Sequence, residues 1–202
     1  MTGSSIVAVV FQDLSDAFAE IASGSTSPKA VRRGFGNFID LSQKLTSTMR
    51  KEYSAKTGES WVASDFDGWN DVTELFKELR NEDQHNQPVS ILVHETQYFR
   101  MHEGGPELAL GGTWSFSIDD QLLDTPRNDL RLVLADPETG EPSGRLFAPV
   151  RKEYEFLLSP SSKKTKDLLA KIGDANVQTL SEICFKVLMD YYRYYQRRLG
   201  QS

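Results

Sequence analysis

The chain has 202 residues, of which 39% are apolar and 26% charged, the balance of a globular protein with one sizeable core. Its 23 basic side chains face 29 acidic ones, for a net charge of -6; this excludes a surface that coats nucleic acid indiscriminately and requires any polyanion site to be local. A single cysteine, Cys184, permits no internal disulfide and fits a small core residue in a reducing compartment.

No basic residue precedes the apolar run 6–11, and no later window approaches the roughly 18 apolar residues of a membrane span. A cytoplasmic protein with no membrane partner is therefore expected. Ile6, Val10, Leu14, Ala17, Phe18 and Ile21 recur at threes and fours and predict a first helix that ends by Gly24. Ser27 is a candidate cap and Pro28 suits the first turn of a second helix, whose stripe Val31, Phe35, Phe38, Leu41, Leu45, Met49 and Tyr53 runs toward Gly58. Gly34 and Gly36 count against its continuity. A third helix is expected from Ser64 or Asp67, with Trp69, Val72, Leu75, Phe76 and Leu79 as its core side and acidic residues in its first turn. Pro88 then forbids continuation.

Residues 89–158 change period. Val89, Ile91 and Val93 alternate, as do Trp114, Phe116 and Ile118, with Gly104-Gly105 and Gly111-Gly112 as punctuation. Leu130, Leu132 and Leu134 run into the turn cluster Asp136-Pro137-Glu138-Thr139-Gly140, after which 145–150 can return as a hairpin partner. Ser159-Pro160-Ser161-Ser162 introduces a long helix, buried through Leu168, Leu169, Ile172, Leu180, Ile183, Val187, Leu188 and Tyr191, which Gly173 can divide in two. The expected fold is α+β: one domain over 1–202, with a helical core from 4–88 and 159–200 and a small antiparallel β-sheet inserted at 89–158.

Chemistry concentrates in Arg80-Asn81-Glu82-Asp83-Gln84-His85, at the end of the third helix. A permanently charged guanidinium, a carboxamide and an imidazole are the groups that hold a phosphodiester and move protons about it near neutral pH. Five helical positions turn the chain by about 140°, so Arg80 and His85 do not share a face on an ideal helix, whereas Asn81 and His85 do. The helix loosens before His85, Arg80 curls round, or two copies build a composite cleft about a two-fold axis.

Arg80-Asn81-x-x-x-His85 at a helix end, within a helical scaffold broken by an insertion, resembles the signature of the HEPN superfamily (higher eukaryotes and prokaryotes nucleotide-binding domain). The resemblance implies a helical, often dimeric bundle and a metal-independent endoribonuclease of toxin-antitoxin or anti-phage systems, with Arg80, Asn81 and His85 as catalytic residues and no cofactor. It favours the composite cleft, and it implies RNA, a second copy and an antitoxin or sensor protein as partners. The β-rich segment lies outside what it covers. In the hypothesised reaction the 2′-hydroxyl attacks its neighbouring phosphorus, His85 serves one proton transfer, Arg80 neutralises phosphoryl charge and Asn81 orients the phosphate or the ring.

The rival reading is a non-catalytic nucleotide- or protein-binding module, in which Arg80 and His85 merely complement the negative end of a helix. Near the C-terminus, Tyr191-Tyr192-Arg193-Tyr194-Tyr195-Gln196-Arg197-Arg198 mixes rings with guanidinium groups, and Arg193, Arg197 and Arg198 are candidate RNA contacts. Two of these tyrosines must face the core. His94 and His102 lack the paired spacing of a zinc site, and Asp65-x-Asp67-Gly68 fails as a calcium loop because Phe76 stands where a bidentate Glu is required. There is no P-loop, dinucleotide fingerprint or serine elbow.

Overall fold

A computed structural model describes residues 5–23, 27–84, 89–117, 132–135 and 138–200. The fold is a mainly helical α+β arrangement. Its elements in order are α1 (Ile6–Ser23), α2 (Pro28–Thr57), a short 3-10 turn (Ala63–Asp65), α3 (Asp71–Gln84), β1 (Ser90–Arg100), β2 (Glu107–Ser117), β3 (Leu132–Ala135), β4 (Pro142–Phe147), β5 (Arg151–Ser159), α4 (Lys163–Ile172) and α5 (Val177–Gly200).

The first two helices follow their apolar spacing. Val7, Val10, Leu14, Ala17 and Ile21 of α1 are buried against Val31, Phe35, Phe38, Ile39, Leu45, Met49 and Tyr53 of α2. The Ser27 hydroxyl accepts from the Ala30 N–H, Pro28 opens the helix and Gly58 closes it in the left-handed region with φ 74°, so both ends carry their expected caps. Gly34 does not interrupt α2. A Cβ built there would lie 2.9 Å from Glu20 Cβ and 3.0 Å from the Ala17 carbonyl oxygen, so the glycine is what lets the two helices approach.

The start of α3 differs from the expectation. Residues 63–65 form a separate 3-10 turn and α3 begins at Asp71. Asn70 and Thr73 bond reciprocally: the Thr73 N–H donates to Asn70 Oδ1 at 3.1 Å and the Asn70 N–H to Thr73 Oγ1 at 3.0 Å. This closed cap outweighs the apolar spacing that seemed to extend the helix back through Trp69. Trp69 consequently precedes the helix and stays 36% exposed.

The β segment makes two sheets. β1 is central in a three-stranded antiparallel sheet, order β2-β1-β5, paired with β2 from Ser90↔Ser117 to Arg100↔Glu107 and with β5 from Ser90↔Ser159 to Tyr98↔Arg151. β3 and β4 pair separately, with an irregularity between Val133 and Ala135. Strand alternation sends Ile91, Val93, Phe156 and Leu158 into the same core as the helices. The Leu158 N–H donates to the Ala175 carbonyl at 2.8 Å, tying the sheet to the start of α5. Gly173, with φ 76°, separates α4 from α5. Among the described residues, no helix is long and apolar enough to cross a membrane.

Candidate functional site

Helix α3 has two working faces. Asp71, Glu74, Glu78 and Glu82, spaced three or four apart, form one acidic row that faces α4. Lys171 bonds Asp71 at 2.7 Å, Lys164 meets Glu74 at 3.2 Å and Glu78 at 2.9 Å, and at the far end Glu82 Oε1 accepts from the Ser162 N–H at 3.1 Å and from the Thr165 hydroxyl. The hydrogen bonds that Lys164 donates to Glu78 and Glu74 raise its pKa. Burial pushes the Glu74 carboxyl upward, but bonds from Lys77 and Lys164 outweigh it and hold the group below its ordinary value. Thr165 is wholly buried and Glu82 is 7% exposed.

Arg80 lies on the other face. Its Nε stands 3.5 Å from Asp40 Oδ1 of α2, with 34% of the arginine side chain and 69% of the aspartate side chain exposed. Asn81 is half-buried beside it. His85 follows the last residue of α3 and, like Pro88, lies outside the described residues. The structure thus fixes Arg80 and Asn81 on one helix end, with Glu82 turned toward α4 behind them and the buried Arg80 Nε close to an exposed carboxylate.

On the same face as Arg80, Thr73, Phe76 and Lys77 border a cleft of about 620 Å3. Its second wall is Ser42, Gln43, Thr46 and Arg50 of α2, its mouth is Ala63, Trp69 and Asn70, and Cys184 and Leu188 of α5 lie at its base. Gln43 is one helical turn from Asp40, and Lys77 one turn from Arg80, so the Arg80–Asp40 pair sits just beyond the cleft's end. Neither Arg80 nor Asn81 lines it. Burial raises the Cys184 pKa, which leaves that thiol protonated and a weak nucleophile.

The C-terminal arginines occupy another region. Tyr191 and Tyr195 are the two buried tyrosines of their run; their rings lie 5.8 Å from that of Trp61, which in turn lies 4.9 Å from Tyr53 near the end of α2. Tyr53 and Asp40 are about 20 Å apart along α2, so Arg193, Arg197 and Arg198 do not share a hollow with Arg80. Arg193 pairs with Asp190 at 3.1 Å, and with Arg197 it borders a shallow depression against Phe66. His94 Nδ1 lies 2.7 Å from Thr113 Oγ1 on the sheet, and His102 is exposed. Among the described residues, no three His, Cys, Asp or Glu side chains gather as a metal site would require.

Comparison with protein-family models, curated proteins and solved structures finds no match to this chain. Its class is therefore set by its own geometry: a mainly helical α+β protein with an arginine-asparagine helix end beside a mixed polar and apolar cleft. Two features of that geometry escaped sequence reasoning. Trp69 has the apolar spacing of a helix core although Asn70 and Thr73 mark a helix start, and the spacing of α2 does not single out Arg50. The inward turn of Glu82 had no sequence signal, because its partners lie on α4, far along the chain.

Proposed function

We propose that this protein is a metal-independent endoribonuclease of HEPN type, acting in a toxin-antitoxin or anti-phage system. The observation that supports the reading is the pairing of Arg80 with an exposed aspartate at the end of α3, with Asn81 next to it and His85 directly after Gln84 in sequence. A phosphodiester can displace Asp40, because an exposed ion pair is held by no more than about 1 kcal/mol. Arg80 then neutralises the phosphoryl oxygens and Asn81 orients the phosphate. The 2′-hydroxyl oxygen bonds to the adjacent phosphorus as the bond to the 5′ oxygen breaks, with His85 carrying one of the two proton transfers. The products are a 2′,3′-cyclic phosphate and a 5′-hydroxyl. In this reading a second copy brings its own Arg80, Asn81 and His85 opposite the first and builds a composite cleft about a two-fold axis, and the sheet contacts an antitoxin or sensor protein.

The test is cleavage of a labelled single-stranded RNA by wild type, Arg80→Ala and His85→Ala in the presence of a chelator, with the product ends identified. Loss of cutting in both variants and cyclic-phosphate products from wild type support the reading. Cutting that needs a divalent metal, that spares neither DNA nor RNA, or that survives both substitutions overturns it. The second reading is a non-catalytic binding module, favoured by the separation of the cleft from Arg80 and Asn81. It requires that His85→Ala leave both the protein's binding and its effect on host growth unchanged.

A further inference from the structure

The cleft between α2 and α3 combines a fixed aromatic wall with one uncompensated positive charge. Trp69 is held in place: its indole N–H donates to the Ala63 carbonyl at 3.0 Å, and its ring lies 4.5 Å from Tyr191 and 5.2 Å from Phe66. It is nonetheless 36% exposed, at the mouth of the cleft. A large ring that is immobilised and still reachable loses little freedom when another ring stacks on it.

The charge balance is specific. On the α3 wall, Asp71 is paired with Lys171 at 2.7 Å and Glu74 with Lys77 at 3.1 Å and Lys164 at 3.2 Å. On the α2 wall, Arg50 interacts with the Tyr191 hydroxyl and, among the described residues, with no carboxylate. Tyr191 also carries the Trp69 contact, so the spare guanidinium and the exposed indole flank the same tyrosine. Gln43, two helical turns before Arg50 on the same wall, presents a carboxamide with both donors and an acceptor. Phe76 and Leu188, both at least 97% buried, give the cleft an apolar floor. About 620 Å3 falls within the range of small-molecule sites.

We propose that this cleft binds a small planar aromatic molecule carrying one acidic group, with the ring on Trp69, the acid on Arg50 and the ring edge toward Gln43. Two sources of that chemistry are a nucleoside monophosphate and an aromatic carboxylate. The site is independent of the ribonuclease reading, since it uses neither Arg80, Asn81 nor His85.

Calorimetric titration of the full chain with adenosine 5′-monophosphate and, separately, indole-3-acetate tests this. At least one of the acids is expected to bind with a Kd below about 1 mM, and the one that binds identifies the source. Arg50→Gln is expected to weaken that binding by about tenfold or more while leaving the uncharged counterpart, adenosine or indole-3-acetamide, as in wild type. Trp69→Leu should weaken charged and uncharged forms alike; should it not fold, Gln43→Leu replaces it as the second wall variant and should likewise weaken both. The proposal is overturned if neither acid binds below about 1 mM, or if the acid that binds is indifferent to Arg50→Gln.

Discussion

Glu82 turns its carboxylate inward from α3 to accept the hydroxyl proton of Thr165 on α4, and the same oxygen takes the Ser162 N–H at 3.1 Å. Glu82, the residue directly after Asn81, thus ties the last turn of α3 to the start of α4. Thr165→Val preserves shape and deletes the hydroxyl, leaving a 7%-exposed acid with one donor fewer. The expected cost is about 1–3 kcal/mol, read as a lower denaturant midpoint at unchanged slope. An unaltered midpoint would show that the bond contributes nothing.

Asp40→Asn should act in the opposite place and the opposite direction. With 69% of the Asp40 side chain exposed, loss of the charge should change stability by less than about 1 kcal/mol. It frees Arg80 for an external phosphate, so RNA affinity is expected to rise, and the gain should vanish in the Asp40→Asn, Arg80→Ala double variant. RNA titrations of the four proteins decide the matter; weaker binding by Asp40→Asn would mean that the aspartate positions Arg80 rather than competing for it.

Glu52 sets a pH dependence of stability. Burial pushes its carboxyl upward, but hydrogen bonds from Lys56, from the Ser5 hydroxyl at 2.7 Å and from the Val7 N–H prevail, and its folded pKa lies below the ordinary value of 4.5. A carboxylate depressed on folding contributes stability above its unfolded pKa and loses it as pH falls through the folded one. Wild type should therefore exceed Glu52→Gln in unfolding free energy at neutral pH, and the gap should close on acidification below about pH 4. A gap that stays constant across that interval would refute the assignment.

Gly34→Ala exchanges a poor helix former for the best one, a change worth about 1 kcal/mol in favour of α2 at a free position. Here the new methyl carbon would meet the Ala17 carbonyl oxygen at 3.0 Å and Glu20 Cβ at 2.9 Å. Backbone cannot swing aside as a side-chain tip can, so α1 and α2 must separate, at a cost of about 1–3 kcal/mol. A lower melting temperature than wild type is expected; a higher one would mean that the helix pair yields without strain.

The helices were legible where one chain segment carries its own evidence. Ser27-Pro28 and Gly58 mark the ends of α2, the glycine at 173 marks the break before α5, and the spacing of Val31, Phe35, Phe38, Leu45 and Met49 gives the buried stripe. The alternation of 89–93 likewise marked β1. Other features depend on distant residues. Gly34 looks like a weakness until α1 lies against it, and Trp69 looks like core until Asn70 and Thr73 close a cap behind it. The Glu82 anchor, the Arg80–Asp40 pair and the Arg50–Tyr191–Trp69 grouping join segments far apart in sequence, and periodicity within one element carries no information about them.

The acidic row of α3 grows steadily drier along its length: the side chain of Asp71 is 43% exposed, that of Glu74 40% and that of Glu78 16%, while Glu82 is 7% exposed as a residue. Ions in the medium reach only the wet end of such a seam, since screening falls away where water is excluded. In concentrated brine the attraction between Asp71 and Lys171 should fade first, while the bond between Glu82 and Thr165 at the dry end is left untouched.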